Sequence, residues 1–107
     1  MSVTTSSVDV LTTIARSLVV TQEYASIEEA LQAMALSEVR RKVAYYRRRI
    51  RALERKHGAD FETFSAQLQG RATPAEEDDW LAWRSANSML ADWQRTYEEL
   101  QHARTRA

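Results

Sequence analysis

Apolar residues in the middle of the chain recur at alternating steps of three and four positions. Between Ser26 and Gly58 the recurring residues are Leu36, Val39, Val43, Tyr46, Ile50 and Leu53. Sustained over nearly three heptads, this spacing predicts a long helix packed along its length against another helix. Ser26 followed by Glu29 predicts a capping box at its start, and Gly58 predicts its end.

A second apolar seam of the same kind lies towards the C-terminus. Its residues are Trp83, Ala86, Leu90, Trp93, Tyr97 and Leu100, with Trp80 beside them. Thr73-Pro74 predicts the start of this helix, since proline is tolerated at a first helical position. The acidic run Glu76 to Asp79 suits the positive end of the helix dipole. We expect a helix over 74–102 and a polar tail that frays after His102.

Two shorter segments complete the pattern. Asp60 predicts the cap of a connector helix over 60–69, which carries Phe61, Phe64 and Leu68. Val8–Val20 has a helical stripe of apolar residues, with Ser6 or Ser7 as its cap. The stretch is also rich in β-branched residues, so strand, helix and loose arm stay open for residues 1–20.

Composition favours long elements in a single domain. The chain of 107 residues contains two glycines and one proline, the residues that most often mark turns. We therefore predict an all-α fold, a long antiparallel helical hairpin resembling a coiled coil, with short N-terminal and connector helices. In chain order the domain comprises an N-terminal arm or short helix (1–25), a long basic helix (26–57), the connector (60–69) and a long acidic, aromatic helix (74–102).

Charge is balanced overall but unevenly placed. Fifteen basic and fifteen acidic residues give a net charge of zero. Most basic residues lie between Arg40 and Lys56, and the last predicted helix begins with acidic residues. Folding the second long helix back onto the first brings these stretches together. Because exposed ion pairs contribute only about 0–1 kcal/mol each, they set register more than stability.

The aromatic residues indicate a binding function. A two-helix hairpin buries one stripe per helix, so we expect a homodimer or a different partner protein to complete the core. Aromatic side chains dominate interface hot spots, and internal packing is the alternative role for them. The predicted partner-binding residues are Trp80, Trp83, Trp93 and Tyr97.

The basic run supports a second hypothesis, nucleic-acid binding. Arginines at helical spacing with tyrosines between them are typical of a surface that contacts phosphates. A solvated helix face, or pairing with acidic residues elsewhere in the chain, is the commoner explanation of such a run. The arginines predicted to contact nucleic acid are Arg40, Arg47, Arg48, Arg51 and Arg55.

We predict neither an enzyme nor a cofactor or metal. The acidic residues Glu76 to Asp79 point around a helix, and His57 and His102 have no neighbour at the spacing of a catalytic triad or ligand set. The chain has no cysteine. It also has no apolar run long enough to span a bilayer, so we expect no membrane association and a cytoplasmic location.

One stretch resembles a known family. Leu18 to Met34, which reads LVVTQEYASIEEALQAM, is similar to the helix–turn–helix part of ribbon-helix-helix antitoxins of bacterial toxin–antitoxin pairs. The matching residues are Tyr24, Ser26, Glu28, Glu29, Ala30 and Leu31. The segment from Arg40 to Gly70 is similar to a long helix and connector in small prokaryotic proteins that look like antitoxins. The resemblance implies a protein that binds and restrains a partner protein, a cognate toxin.

The DNA-reading element of that family differs here. Such repressors read bases with polar or basic side chains on a dimeric two-stranded ribbon. The candidate ribbon, Ser2–Ser6, contains no Arg, Lys, Asn or Gln. We therefore expect partner binding through the long helices rather than base readout, and a self-assembling structural coiled coil is the third hypothesis.

Overall fold

The regular secondary structure of the described residues is entirely helical. A computed structural model describes residues 6–21 and 23–105. Within these residues it has four helices and no strand: α1 (Ser7–Val20), α2 (Ile27–His57), α3 (Phe61–Leu68) and α4 (Pro74–Thr105). The predicted all-α class is confirmed. Residues 1–5, which include most of the candidate ribbon, lie outside the described residues.

Capping explains where α1 and α2 begin and end. The Ser6 hydroxyl accepts a hydrogen bond from the Asp9 amide, and the Asp9 carboxylate accepts one from the Ser6 amide, a complete capping box. At α2 the Ser26 hydroxyl accepts from the Glu29 amide, which is half of the predicted box. Gly58 ends α2 with φ of 61°, a left-handed conformation that favours glycine.

The later helices also begin at capping side chains. Asp60 accepts a hydrogen bond from the Thr63 amide at the start of α3. At α4, Thr73 and Glu76 form a reciprocal capping box that the sequence analysis did not predict. α4 continues to Thr105, three residues beyond the predicted end at His102. Ala103 and Arg104 are strong helix formers, which explains the extension.

α2 and α4 form the predicted antiparallel hairpin. The end of α2 contacts the start of α4 through His57 and Asp79, and Arg40 in the middle of α2 lies over Tyr97 towards the end of α4. α1 packs against α2, and α3 packs against α4. The arrangement is thin, with principal extents of 59 × 42 × 19 Å.

The core is correspondingly small. The buried side chains among the described residues are Ala15, Ala30, Leu36, Val39, Phe64, Trp83 and Ala86. Only part of each predicted seam is buried. The seam residues of α2 that follow Val39 are half-buried, and so are the seam residues of α4 that follow Ala86. One helix therefore covers the seam of the other incompletely. The half-buried parts of the two seams border a groove.

Candidate binding surfaces

The largest fully buried side chain among the described residues is that of Trp83, at the end where α2, α3 and α4 meet. Its exposed fraction is 1%. Its ring lies 5.5 Å from that of Phe64, 5.6 Å from that of Phe61 and 6.2 Å from that of His57, measured between centroids. Trp83 therefore fills the intramolecular core, the role that the sequence analysis kept as an alternative for the aromatic residues.

Trp80 is half-buried and held by neighbours in its own chain. Its indole N–H donates a hydrogen bond to the Ser65 hydroxyl at 2.8 Å, and that hydroxyl donates in turn to the Phe61 carbonyl. The Phe61 and Trp80 rings stack with centroids 5.8 Å apart, and the Arg84 guanidinium lies 5.6 Å from the Trp80 centroid. These contacts fix α3 against α4 and leave part of the indole accessible.

A polar contact closes the same end of the hairpin. Asp79 Oδ2 lies 2.8 Å from Lys56 Nζ and 2.8 Å from His57 Nε2. Hydrogen bonding to Lys56, and then to His57, lowers the pKa of Asp79 below its usual 3.8. The predicted contact between the basic end of α2 and the acidic start of α4 thus occurs at Asp79. This contact fixes the register of α2 and α4. Within the described residues, no three His, Asp or Glu side chains converge as metal ligands do.

A groove lies between α2 and α4 further along the hairpin, and we name it the α2–α4 groove. Its volume is about 620 Å³. It is lined by Arg40, Val43, Ala44 and Arg47 from α2, and by Gln94, Tyr97 and Glu98 from α4. Its lining combines the apolar Val43 and Ala44 with two arginines on the α2 side and with the acidic Glu98 on the α4 side. Of the four predicted partner-binding residues, Tyr97 is the one that lines this groove.

Tyr97 is held in place within the groove. Its hydroxyl accepts a hydrogen bond from Gln101 Nε2 at 2.8 Å, and the Arg40 guanidinium lies 5.9 Å from the ring centroid. Hydrogen bonding by Gln101, followed by Arg40, lowers the pKa of Tyr97 below its usual 10.0. The remaining predicted partner-binding residue, Trp93, is half-buried. Its indole nitrogen is enclosed and has no hydrogen-bond partner among the described residues.

The five predicted arginines lie on one side of α2. Arg40, Arg47, Arg51 and Arg55 follow each other at seven- and four-residue steps, so they share a face, and Arg48 borders it. All five are exposed, and within the described residues no carboxylate lies within ion-pair distance of them. We call these five residues the arginine stripe.

Intramolecular pairing explains only part of the basic run. On α2 it involves Arg41 and Lys42, which contact Glu38, and Lys56, which contacts Asp79. The arginine stripe is thus left open to solvent, whereas Arg41, Lys42 and Lys56 contact carboxylates of their own chain and Arg49 contacts the Tyr45 hydroxyl.

Sequence reasoning overlooked the outward surface of α1. The apolar spacing predicts a helical stripe on this helix, yet Ala15 is the one buried residue of α1 among those described. Val10, Leu11 and Ile14 are all exposed. The sequence does contain a signal for this exposed surface, because the apolar residues of α1 form an arc too broad for one neighbouring helix to cover.

Comparisons with known proteins assign no family to this chain. No family model matches it, and neither the curated proteins nor the solved structures that were compared with it give a match. Within the described residues, no helix has the length and apolar character needed to cross a membrane.

Proposed function

We propose that this protein is a non-catalytic, antitoxin-like binding module that binds and restrains a partner protein through the α2–α4 groove. The observation that carries the proposal is the groove itself, which lies between two long helices and combines apolar and aromatic side chains with two arginines on its α2 side. Such grooves accept an amphipathic helix or extended segment of another protein.

The chemistry of the groove defines the partner segment. Val43 and Ala44 offer apolar contact, while Arg40 and Arg47 favour carboxylates on the incoming chain. Tyr97 supplies an aromatic anchor whose orientation is already fixed by Gln101. Because the ring is ordered before binding, less side-chain entropy is lost on association. An acidic amphipathic segment with an apolar face fits these requirements.

The antitoxin class rests on the resemblance of Leu18 to Met34 and on the geometry of that stretch. There the structure has the end of α1, a turn and the Ser26-capped start of α2, a helix–turn–helix. The long helix that follows carries one wall of the groove. In this proposal the N-terminal helices support α2, and the groove contacts the restrained protein.

The test is affinity capture of the tagged full chain from its native cells, with nuclease treatment and identification by mass spectrometry. We expect one small protein in stoichiometric amount. Tyr97→Ala should raise the dissociation constant of the complex about 30-fold, as expected for loss of a hot-spot residue, and thereby reduce recovery. Tyr45→Ala is the matched control, since Tyr45 is an exposed tyrosine of α2 outside the groove.

A second variant guards against loss of folding. Arg47→Glu changes an exposed groove residue and should leave the helix content unchanged while weakening capture. Undiminished recovery with both Tyr97→Ala and Arg47→Glu would overturn the assignment to the groove. Recovery of the protein alone would overturn the partner-binding function.

Nucleic-acid binding is the second candidate, because the arginine stripe is exposed and has no carboxylate partner in the part of the chain that the structure describes. From Arg40 to Arg55 the stripe runs about 22 Å along α2 at 1.5 Å per residue, a length that spans several phosphates. In an anisotropy titration with labelled DNA and RNA, affinity should fall steeply with salt.

A charge-reversed triple variant tests the stripe directly. Replacement of Arg47, Arg48 and Arg51 by glutamate should abolish binding in that titration. The matched control reverses Arg71, Arg84 and Arg95, exposed arginines outside the stripe, and should retain affinity. Absent binding at low ionic strength, or equal loss in both triple variants, would contradict this candidate.

A further inference from the structure

We propose that a second cavity, between the first half of α2 and the end of α4, binds a small organic phosphate monoester that carries a hydrogen-bond donor at its far end. The cavity has a volume of about 430 Å³, within the range of clefts that hold small molecules. Arg40 of α2 and Arg104 of α4 both line it. We name it the Arg40–Arg104 pocket.

The α2 wall of this pocket changes in character along its length. In chain order its lining includes Glu29, Gln32, Leu36, Ser37 and Arg40. The spacing of these residues keeps them on one side of the helix. At 1.5 Å per residue, Glu29 and Arg40 are about 16 Å apart along α2. The pocket therefore has an acidic end and a basic end, with the apolar Leu36 between them.

Two observations bring the guanidinium groups of Arg40 and Arg104 together at the basic end. Both line the same pocket, and both act on Tyr97. Hydrogen bonding by Gln101 contributes most to the lowered pKa of Tyr97, hydrogen bonding by Arg40 comes next, and the positive charges of Arg40 and Arg104 add to it. Among the described residues, neither guanidinium has a carboxylate within ion-pair distance. Two positive charges are therefore available to a ligand at one place.

A phosphate monoester matches this pair of charges better than a single carboxylate does. A guanidinium offers N–H donors in a fixed fork that fits phosphate oxygens. A phosphate monoester carries about −1.5 to −2 charge at neutral pH and has three strong acceptor oxygens, enough for both arginines. Ser37, three positions before Arg40, adds a hydroxyl donor on the same wall. The basic end thus supplies donors and charge for one phosphate group.

The acidic end selects what the rest of the ligand must carry. The Glu29 carboxylate is exposed and would repel a second anionic group, but it accepts hydrogen bonds from an amino or hydroxyl group. Tyr24, which is half-buried, lines the pocket beside it. The fitting ligand therefore has one phosphate and, at the opposite end, a hydrogen-bond donor. Adenosine 5′-monophosphate (AMP) has this arrangement and serves as the probe.

The pocket can be tested apart from the α2–α4 groove and from the arginine stripe. Arg40 belongs to all three, but Glu29 and Arg104 line the pocket and do not line the groove. Both side chains are exposed, so their substitution should leave the helix content unchanged in circular dichroism. Variants at these two positions therefore report on the pocket alone.

A heteronuclear NMR titration of the full chain with AMP tests the basic end. We expect saturable shifts of the side-chain Nε–H signals of Arg40 and Arg104. Arg104→Gln should raise the dissociation constant about 10-fold or more, because a hydrogen bond to a charged group is lost. Arg51→Gln is the matched control, since Arg51 is an exposed arginine of α2 outside the pocket, and it should leave the dissociation constant unchanged. Absence of saturable shifts at low ionic strength, or equal losses in the two variants, would overturn the proposal.

A second ligand tests the acidic end. Purine riboside 5′-monophosphate lacks only the amino group of AMP, so it should bind the wild-type chain about 10-fold more weakly than AMP does. Glu29→Gln should reduce this preference. Affinity for AMP should also fall as the pH is lowered through about 6, where the phosphate loses its second charge. Equal affinity of the wild-type chain for the two nucleotides would refute the donor at the far end, and a pH-independent affinity would refute the phosphate site.

Discussion

Replacement of Trp83 by alanine tests the organisation of the core most directly. Trp83 is 1% exposed and packs against Phe61, Phe64 and His57, so it joins α2, α3 and α4 at one point. Truncation of a buried tryptophan costs about 3–5 kcal/mol, through lost apolar burial and the cavity left behind. A chain of 107 residues has a total stability of about 5–16 kcal/mol. The substitution should therefore remove a large fraction of the stability.

Urea unfolding followed by far-ultraviolet circular dichroism measures this loss. With an m-value of about 2 kcal/mol/M, the midpoint should fall by about 1.5–2.5 M. Leu81→Ala is the matched control on the same helix, because Leu81 is 56% exposed and should change stability by less than about 0.5 kcal/mol. All samples need the same protein concentration, since association contributes to apparent stability.

The results separate two descriptions of the molecule. If the urea midpoint of Trp83→Ala lies within about 0.3 M of the wild-type midpoint, the assignment of Trp83 to the core is refuted. At the m-value given above, so small a shift does not match the loss of stability expected for a buried tryptophan. An equally large shift for Leu81→Ala would show that this exposed leucine is covered in solution, and that the core extends beyond a single chain.

Substitutions at three further positions test the contacts near the ends of the helices. Gly58→Ala should lower the melting temperature by about 4–8 °C, because φ of 61° strains any residue with a Cβ although the space around it is open. Gly58→Asn should lower the melting temperature less. Equal decreases for the two variants would argue against backbone strain. Thr73→Ala removes the cap of α4 and should cost about 1 kcal/mol in urea unfolding, so an unchanged midpoint would contradict the observed capping box. Because the pKa of Asp79 is lowered in the folded state, its contacts with Lys56 and His57 stabilise the protein above about pH 4 and are lost as the pH falls below its usual 3.8. Asp79→Asn should thus be less stable at pH 7 and lose less stability on acidification than wild type does, and parallel pH profiles would exclude this role.

The comparison of sequence and structure separates local from long-range information. Ser26, Gly58 and Asp60 mark helix ends as predicted, and each acts on backbone groups within about four positions. The apolar spacing likewise predicts the two long helices and their antiparallel pairing. These features depend on residues close together in the chain or on a regular period, so a single sequence contains them.

The roles of the aromatic residues depend on long-range contacts. The sequence places Trp80, Trp83 and Trp93 on one helix with similar patterns. Trp83 is buried because α3 brings Phe64 against it, whereas Trp80 is held by Ser65 and stays half-buried. Nothing in the spacing alone distinguishes these environments, since the neighbours come from other parts of the chain.

What the sequence determined by itself is the helical class, the positions of the helix starts and stops, and the uneven placement of charge. The tertiary structure decided which residues face outward. It encloses Trp83, leaves the arginine stripe without carboxylate partners among the described residues, opens a groove beside Tyr97 and exposes half of the apolar arc of α1. The physical reason is that helix formation is governed by neighbouring residues, whereas burial is governed by distances between residues far apart in the chain, such as the 22 positions that separate His57 from Asp79.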